Sequence, residues 1–300
     1  EPNSIFQDWT TINNLEFNNN FNVFTAPKLN QKLNKDQYLS KIELLKSHIN
    51  RGDIYEVNFC FEWFSENVEI DPLYVYQNLN RISKSPMSVY FKNKSLHLIC
   101  SSPERYLKKQ NTKLTSQPIK GTSRRDHDFN IDKSLKDKLK LDPKERSENI
   151  MIVDLVRNDM SRFSKPGSVK VKELCEVYPF KQVHQMISTI ESQVVSSLKI
   201  GKIIEGSFPM GSMTGAPKVK AMKIIDELEV TKRGLYSGAV GFIDPNGDFD
   251  FNVVIRSLIY DSMTKYLSFH VGSAITAKSK GINEYEECLL KGKAMILSLT

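Results

Sequence analysis

Glutamates recur in pairs three residues apart on two stretches with helical apolar spacing, Glu145 with Glu148 and Glu284 with Glu287. That interval puts both members of a pair on one helix face. Glu148 shares its face with Met151, Ile152 and Leu155, an apolar stripe on which an unpaired charge is costly. Four carboxylates from two helices are the hard oxygen donors that Mg²⁺ takes, with water completing its shell. The same residues also fit a plainer arrangement. Glu145 then caps its helix, and Glu287 pairs with Lys291 one turn on, across an exposed surface, for a few tenths of a kcal/mol.

Lys120 is a second candidate, set between Ile119 and Gly121 in "QPIKGTSRRD". A free lysine, with a pKa near ~10.4, is neutral in only about one molecule in a few thousand at pH 7. As a nucleophile it must lose roughly three pKa units, about 4 kcal/mol against the ammonium, through burial or nearby cations. A surface lysine laying its stem along apolar neighbours is the plainer alternative. Glu104, in "SSPERYL", follows an apolar strand and alone reads as a turn acid. Arg256, in "FNVVIRSL", shares a face with Asn252 and Val254 by strand alternation, and if it points inward it needs an anion. "PMGSMTGAPKVKAMKIIDELE" runs a glycine-rich loop into a helix whose expected core stripe is Val219, Met222, Ile225 and Leu228. Helix starts favour anions, but Gly211 and Gly215 are too close for a phosphate-binding P-loop, and neither Ser nor Thr follows Lys218.

The elements that must position these groups are legible in part. "LNKDQYLSKIELLKSHINRGD" predicts a helix capped by Asn34, stapled by Leu33 and Tyr38, and closed at Gly52. "IYEVNFCFEW" alternates as a strand, with Glu56, Asn58, Cys60 and Glu62 on one face and Tyr55, Val57, Phe59, Phe61 and Trp63 on the other. "SVYFK", "SLHLIC", "RYLKK" and "YLSFHV" are further strands. "LDPKERSENIMIVDLVRND" is a helix with Asp142 at its cap, Pro143 in its first position and Glu145 two residues on. "LYSGAVGFI", "DPNGD" and "FDFNVVIRSLIY" read as a hairpin with a type I′-like Asn-Gly turn, and a last helix starts near Asn283. Hairpin-joined strands with a few long helices make the class α+β with antiparallel sheets. Residues 1–34 are expected to be a short irregular lead-in, and residues 35–300 a single catalytic domain.

Composition narrows the classes. The 300 residues carry a net charge of +7, 40% apolar and 26% charged residues, ordinary for a water-soluble protein. No apolar run approaches a membrane span, and "EPNSIFQDWT" lacks the pattern of a signal peptide, so the expectation is a cytoplasmic protein without a membrane partner. The scattered cysteines Cys60, Cys100, Cys175 and Cys288 read as reduced core residues. The basic residues between Arg105 and Arg146 are interleaved with aspartates and lack a recognition motif, which favours no nucleic-acid partner. A basic field would still draw in a small anion.

In this order, "GDIYEVNF", "SPERYL", "PIKGTSRR", "ERSENIMIVDLVRND", "FPMGSMTGAPKVKAMKIIDELE", "RGLYSGAVGFI", "FDFNVVIRSL" and "EYEECLLKGKA" resemble the chorismate-utilising enzymes, a family that includes anthranilate, aminodeoxychorismate, isochorismate and salicylate synthases. The likeness runs from about Ile42 to Ala294. It implies two antiparallel β-sheets packed orthogonally and flanked by helices. Within the family, anthranilate synthases resemble "PIAGT" and component I of aminodeoxychorismate synthase resembles "PIKGT", as here. The resemblance implies that Lys120, with a depressed pKa, attacks C2 of chorismate as the C4 hydroxyl leaves. Ammonia from a separate glutamine amidotransferase then adds at C4 and expels the lysine, giving 4-amino-4-deoxychorismate for 4-aminobenzoate and folate. Glu104 matches the acid that protonates the departing hydroxyl, and Glu145, Glu148, Glu284 and Glu287 match the ligands of Mg²⁺. Thr122, Tyr236, Arg256 and Lys291 match substrate contacts, with the backbone around Gly272, Ser273 and Ala274. Anthranilate synthase and a catalytically silent chorismate-binding partner are the alternatives. Three departures stand out. Glu56 replaces the lysine of the water-using members, and Gln185 replaces a histidine, with His184 beside it facing the other way. "GSAITAKS" puts Lys278 where an acid is usual.

Overall fold

The computed structural model describes residues 2–14, 24–180 and 183–300. Helices α1 (Pro2–Asn13) and α2 (Lys35–Asn50) flank the short strand β1 (Asn30–Gln31). The chain continues through β2 (Glu56–Ser65), α3 (Pro72–Ser83), β3 (Met87–Asn93), β4 (Leu96–Ser102), β5 (Arg105–Gln110), β6 (Lys113–Gln117) and β7 (Ile119–Arg124). Next come α4 (Phe129–Leu141), α5 (Pro143–Ser161), β8 (Lys170–Pro179), β9 (Val183–Gln193), α6 (Ile200–Ser207), β10 (Gly215–Ala216) and α7 (Lys218–Leu228). Strands β11 (Ala239–Ile243), β12 (Phe249–Val253), β13 (Ser257–Asp261) and β14 (Tyr266–Thr276) precede the last helix, α8 (Gly281–Leu297). No helix among the described residues is long and apolar enough to cross a membrane.

The strands form two wholly antiparallel sheets, as the α+β reading expects. One runs β1-β2-β14-β13-β4-β3 with β10 on β2; the other runs β11-β12-β5-β6-β9-β7 with β8 on β9. Strand β2 sits inside the first sheet and is buried on both faces nearly throughout. Its apolar side meets α2 and α8, where Tyr38, Phe61 and Tyr285 pack ring against ring at 5.4–6.0 Å. Helix α2 starts as its sequence dictates. Asn34 accepts from the Gln37 amide, Gln37 answers the Asn34 amide, and Gly52 closes the far end at φ +82°. A second core joins α5 and α6 to the other sheet through Val153, Met160, Ile190 and Ile203, and reaches Cys60 of β2. All four cysteines are buried and free.

The structure corrects several expectations. Residues 2–13 are helical, not irregular, with Ile5, Phe6 and Trp9 exposed along one side; the rest of the expected lead-in includes 15–23, which lie outside the described residues. The "DPNGD" turn is not type I′. Only Gly247 has positive φ (+79°), and Gly247 donates to the Asp244 carbonyl at 2.9 Å, so a type I turn ends in a left-handed glycine. Helix α7 buries Ala221, Ile224 and Leu228, while Val219 and Met222 are exposed. The small Ala221 faces in because Gly215 of β10 and Val57 of β2 approach there. "FDFNVVIRSLIY" is not one strand. It breaks between β12 and β13, and the chain passes from one sheet to the other at Arg256.

Candidate active site

Two sheet-to-sheet crossings run side by side. The first joins β4 to β5 through Pro103 and Glu104; the second joins β12 to β13 through Val254, Ile255 and Arg256. They are tied together by Val253 N–H donating to the Glu104 carbonyl (3.0 Å) and Ser101 N–H donating to the Arg256 carbonyl (3.2 Å). Arg256 reaches its position with φ +52°, a left-handed backbone, and not by strand alternation. Beside these crossings opens a cavity of about 590 Å³ between the sheets, α5 and α8. Its wall includes Glu104, Lys120, Thr122, Glu145, Glu148, Tyr236, Arg256, Gly272, Ala274, Glu284, Glu287 and Lys291. Every candidate catalytic, substrate-contacting and metal-ligating residue taken from the sequence is therefore there, except Ser273. That side chain is wholly buried on the other face of β14, 3.2 Å from the Tyr38 hydroxyl.

Lys120 is aimed by a bulge. Ile119 pairs with Ile187 and Thr122 with Gln185, so β7 spends three steps where β9 spends two. Gly121 absorbs the extra residue at φ +90°, and a β-carbon there would stand 3.1 Å from Glu145 Oε2 and 3.2 Å from Met186 Cβ. Only glycine meets both demands. Buried Asn149, one residue past Glu148 on α5, holds the bulge by donating to the carbonyls of Lys120 (3.5 Å) and Met186 (3.4 Å). Lys120 Nζ donates to Glu56 Oε1 at 2.8 Å, with the lysine side chain 10% exposed and the glutamate 1%. Burial by itself favours the neutral amine. Glu56, with Glu148 and Glu104 farther off, outweighs it and holds the lysine above its ordinary pKa. The expected depression does not occur, because the neighbours are anions and not cations.

Glu104 is no solvated turn acid. It is 4% exposed, and burial pushes its carboxyl up to about 7 despite hydrogen bonds from the Ser212 hydroxyl and the Ile119 backbone. Half of it is then protonated near neutral pH, the state a general acid needs. Ser212 comes from the glycine-rich loop, which an ion pair locks to β2. Arg233 donates to the carbonyls of Met213 (2.6 Å) and Asn58 (2.8 Å), while Glu229 accepts from Cys60 N–H (2.9 Å) and pairs with Arg233. Arg256 has no ion pair or hydrogen bond to its guanidinium among the described residues, and enclosure lowers its proton affinity. An unpaired, enclosed guanidinium is a receptor for a carboxylate.

The glutamates of α5 and α8 share one wall. Burial raises Glu145, and raises Glu148 to about 7; Glu148 Oε1 is buried without a hydrogen-bond partner among the described residues. Burial opposes the charge of Glu287 too, but Lys291 at 2.6 Å holds that carboxyl below its usual range. Lys291 also donates to the Gly272 carbonyl at 2.9 Å. Lys144 stands 3.7 Å from Glu148 and 3.3 Å from Glu284. Among the described residues no three acid, histidine or cysteine side chains converge tightly enough to chelate an ion as placed. The donors are nonetheless of the right chemistry, and one oxygen is unsatisfied.

With that geometry in hand, the relatives can be set beside it. The chain matches the model of the family described as "chorismate binding enzyme" over residues 3–297. The chain belongs to this family. It is 40% identical over 87% of its length to "Probable aminodeoxychorismate synthase, chloroplastic" of Oryza sativa subsp. japonica, covering 29% of that protein. It is 34% identical over 90% of its length to "Aminodeoxychorismate synthase component 1" of Bacillus subtilis (strain 168), covering 57% of it. Among solved structures, anthranilate synthase component I from Streptococcus pneumoniae TIGR4 superposes with a TM-score of 0.86 at 28% identity, over 98% of this chain and 65% of that one. This family member thus spans less than two thirds of each of these relatives.

Sequence reasoning missed the cavity residues Asn58, Ser212 and His270. His270 stacks on Tyr236 at 5.1 Å, and burial lowers its pKa to about 4, so it is a neutral wall. Its place in the alternating run "YLSFHVGS", two residues before Gly272, was the available signal. Gln185 lines the cavity, whereas His184 turns away to Asp132 at 2.9 Å, as expected from alternation. Lys278 is exposed beyond the end of β14 and is no part of the cavity wall, so that departure leaves the site untouched.

Proposed function

We propose that this chain is an aminodeoxychorismate synthase of the component I type. It takes chorismate and ammonia, the latter from a glutamine amidotransferase partner, and forms 4-amino-4-deoxychorismate for 4-aminobenzoate and folate synthesis. The observation that carries the reading is Lys120, bulged into the cavity in a shell that also holds Glu104. An alanine there would leave no nucleophile, so the lysine supports amination at C4 through a covalent adduct. The names of the rice and Bacillus subtilis relatives point the same way.

In this reading Lys120 Nζ attacks C2 of the ring. The two conjugated ring double bonds each shift one position toward C4 and the C4–O bond breaks, the hydroxyl leaving as water with the Glu104 proton. Ammonia then adds at C4 and the C2–Nζ electron pair returns to the lysine. The new C4 ammonium gives a proton back to Glu104. Arg256 would hold a substrate carboxylate, and Thr122, Tyr236, Lys291 and the backbone at Gly272 and Ala274 would border the ring. Glu145, Glu148, Glu284 and Glu287 would hold Mg²⁺. The ion would supply neutralisation of the ring carboxylate. The Glu148 oxygen left without a hydrogen bond supports a cation there, and a cation would offset the burial that raises Glu145 and Glu148.

The test is direct. The protein is given chorismate, Mg²⁺ and an ammonium salt, followed by the lyase that cleaves aminodeoxychorismate. We expect 4-aminobenzoate, its formation abolished by a chelator and restored by Mg²⁺. Anthranilate as the product would overturn the assignment.

A further inference from the structure

Lys120 poses a problem of proton traffic. Its surroundings hold it as an ammonium, and an ammonium has no lone pair to attack with. A group in contact must take a proton before the C2–N bond forms and return it when that bond breaks. Among the described residues the one carboxylate in hydrogen-bond contact with Nζ is Glu56, at 2.8 Å, the ordinary distance for a charged pair. Glu104 has a different task and already accepts from Ser212 and the Ile119 backbone. Glu148 and Glu287 act on Lys120 only through their field, with Lys144 and Lys291 paired to them.

Glu56 is built to accept a proton. It is almost fully buried on β2, where β10 and β14 lie to either side. Its second oxygen, Oε2, is buried without a hydrogen-bond partner among the described residues. Oε1 holds the contact with Nζ while Oε2 has room for a proton, so the carboxyl can receive one without losing its place beside the lysine. Neutralising both partners at once also costs less than neutralising either alone, because neither is left as a lone buried charge.

We infer that Glu56 is the base that converts Lys120 from ammonium to nucleophilic amine. The inference rests on the reading of Lys120 as nucleophile given above. The protons balance through the cycle. Glu56 takes one from Nζ, the amine bonds to C2, and water leaves C4 with the Glu104 proton. When ammonia has added and the C2–Nζ bond has broken, the neutral lysine takes its proton back from Glu56. Glu56 ends ionised and Lys120 cationic, as at the start of the cycle.

Three proteins test this with chorismate, Mg²⁺ and ammonium: the unaltered chain, Glu56→Gln and Glu56→Asp. Glutamine keeps the shape and an oxygen acceptor for Nζ but cannot take its proton. We expect kcat of Glu56→Gln to fall about 100-fold or more at pH 7, with KM for chorismate within a few-fold, since a positioned base contributes roughly that much. Its kcat should climb about tenfold per pH unit above 7, as solvent takes over the deprotonation, while the unaltered chain stays nearly flat. Glu56→Asp should recover part of the loss. Glu56→Gln with an unaltered kcat and pH profile overturns the inference. So does equal loss in both variants with a flat profile, which marks a structural role. If the unaltered chain itself makes no aminodeoxychorismate, the functional reading fails and this inference with it.

Discussion

Glu104 and Lys120 sit in the same cavity wall, and burial asks the same of both, that they be neutral. Glu104 complies, its carboxyl pushed up to about 7; Lys120 does not, because Glu56 lies 2.8 Å away. The difference is a matter of magnitude: burial favours the neutral amine, but Glu56 in contact, with Glu148 and Glu104 adding their charge, outweighs it. Glu104 should therefore cost stability. Well below pH 4.5 it is protonated both folded and unfolded, so no penalty arises, and at pH 4.5 the penalty is still small. As pH rises from there through about 7 the unfolded chain ionises first, and beyond that the folded state carries a penalty of up to about 3 kcal/mol. Glu104→Gln should abolish turnover yet be more stable than the unaltered chain at pH 8, with little difference at pH 4.5, as read by denaturant unfolding. A variant less stable at pH 8 would refute this account of Glu104. None of it was legible in "SSPERYL", because burial of a turn residue depends on a second crossing far along the chain.

Elements position these groups through their irregularities, which explains what periodicity could and could not give. Helices α2 and α5 were readable because their caps are local, with Asn34 and Asp142 accepting from amides two or three residues on. The buried face of α7 was not. Ala221 lies inward because glycine and strand backbone approach it, and a hydrophobicity pattern ranks alanine too low to predict that. Arg256 was placed in the right cavity for the wrong reason, since alternation stops where the backbone turns left-handed. The bulge at Lys120 and Gly121 has a test of its own. Gly121→Ala should cost about 1–3 kcal/mol of stability and at least tenfold in kcat, because φ +90° and the approach of Glu145 both resist a β-carbon. Gly52→Ala, also at positive φ (+82°) but with no neighbouring atom within 4 Å, should lose stability and keep full activity. Full activity in Gly121→Ala would show that the bulge does not aim the lysine.

At the scale of the molecule, the site exists because two antiparallel sheets exchange strands at two adjacent crossings. One crossing carries Glu104, the other Arg256, and α5 and α8 close the space with glutamates. The class could be read from the strand and helix patterns, and the charged residues Glu104, Lys120, Arg256 and the four helix glutamates from family resemblance. The contact of Lys120 with Glu56 could not, because 64 residues separate them and only the seam between the sheets joins them. The central claim is that Lys120 bonds to the substrate. It is tested by mixing the protein with chorismate and Mg²⁺ in the absence of ammonia, quenching rapidly, and mapping peptide masses. The account predicts that the peptide containing Lys120 gains the mass of chorismate less one water, and that Lys120→Ala gains nothing. Turnover to aminodeoxychorismate with ammonium, but no adduct at Lys120 without it, would contradict the account.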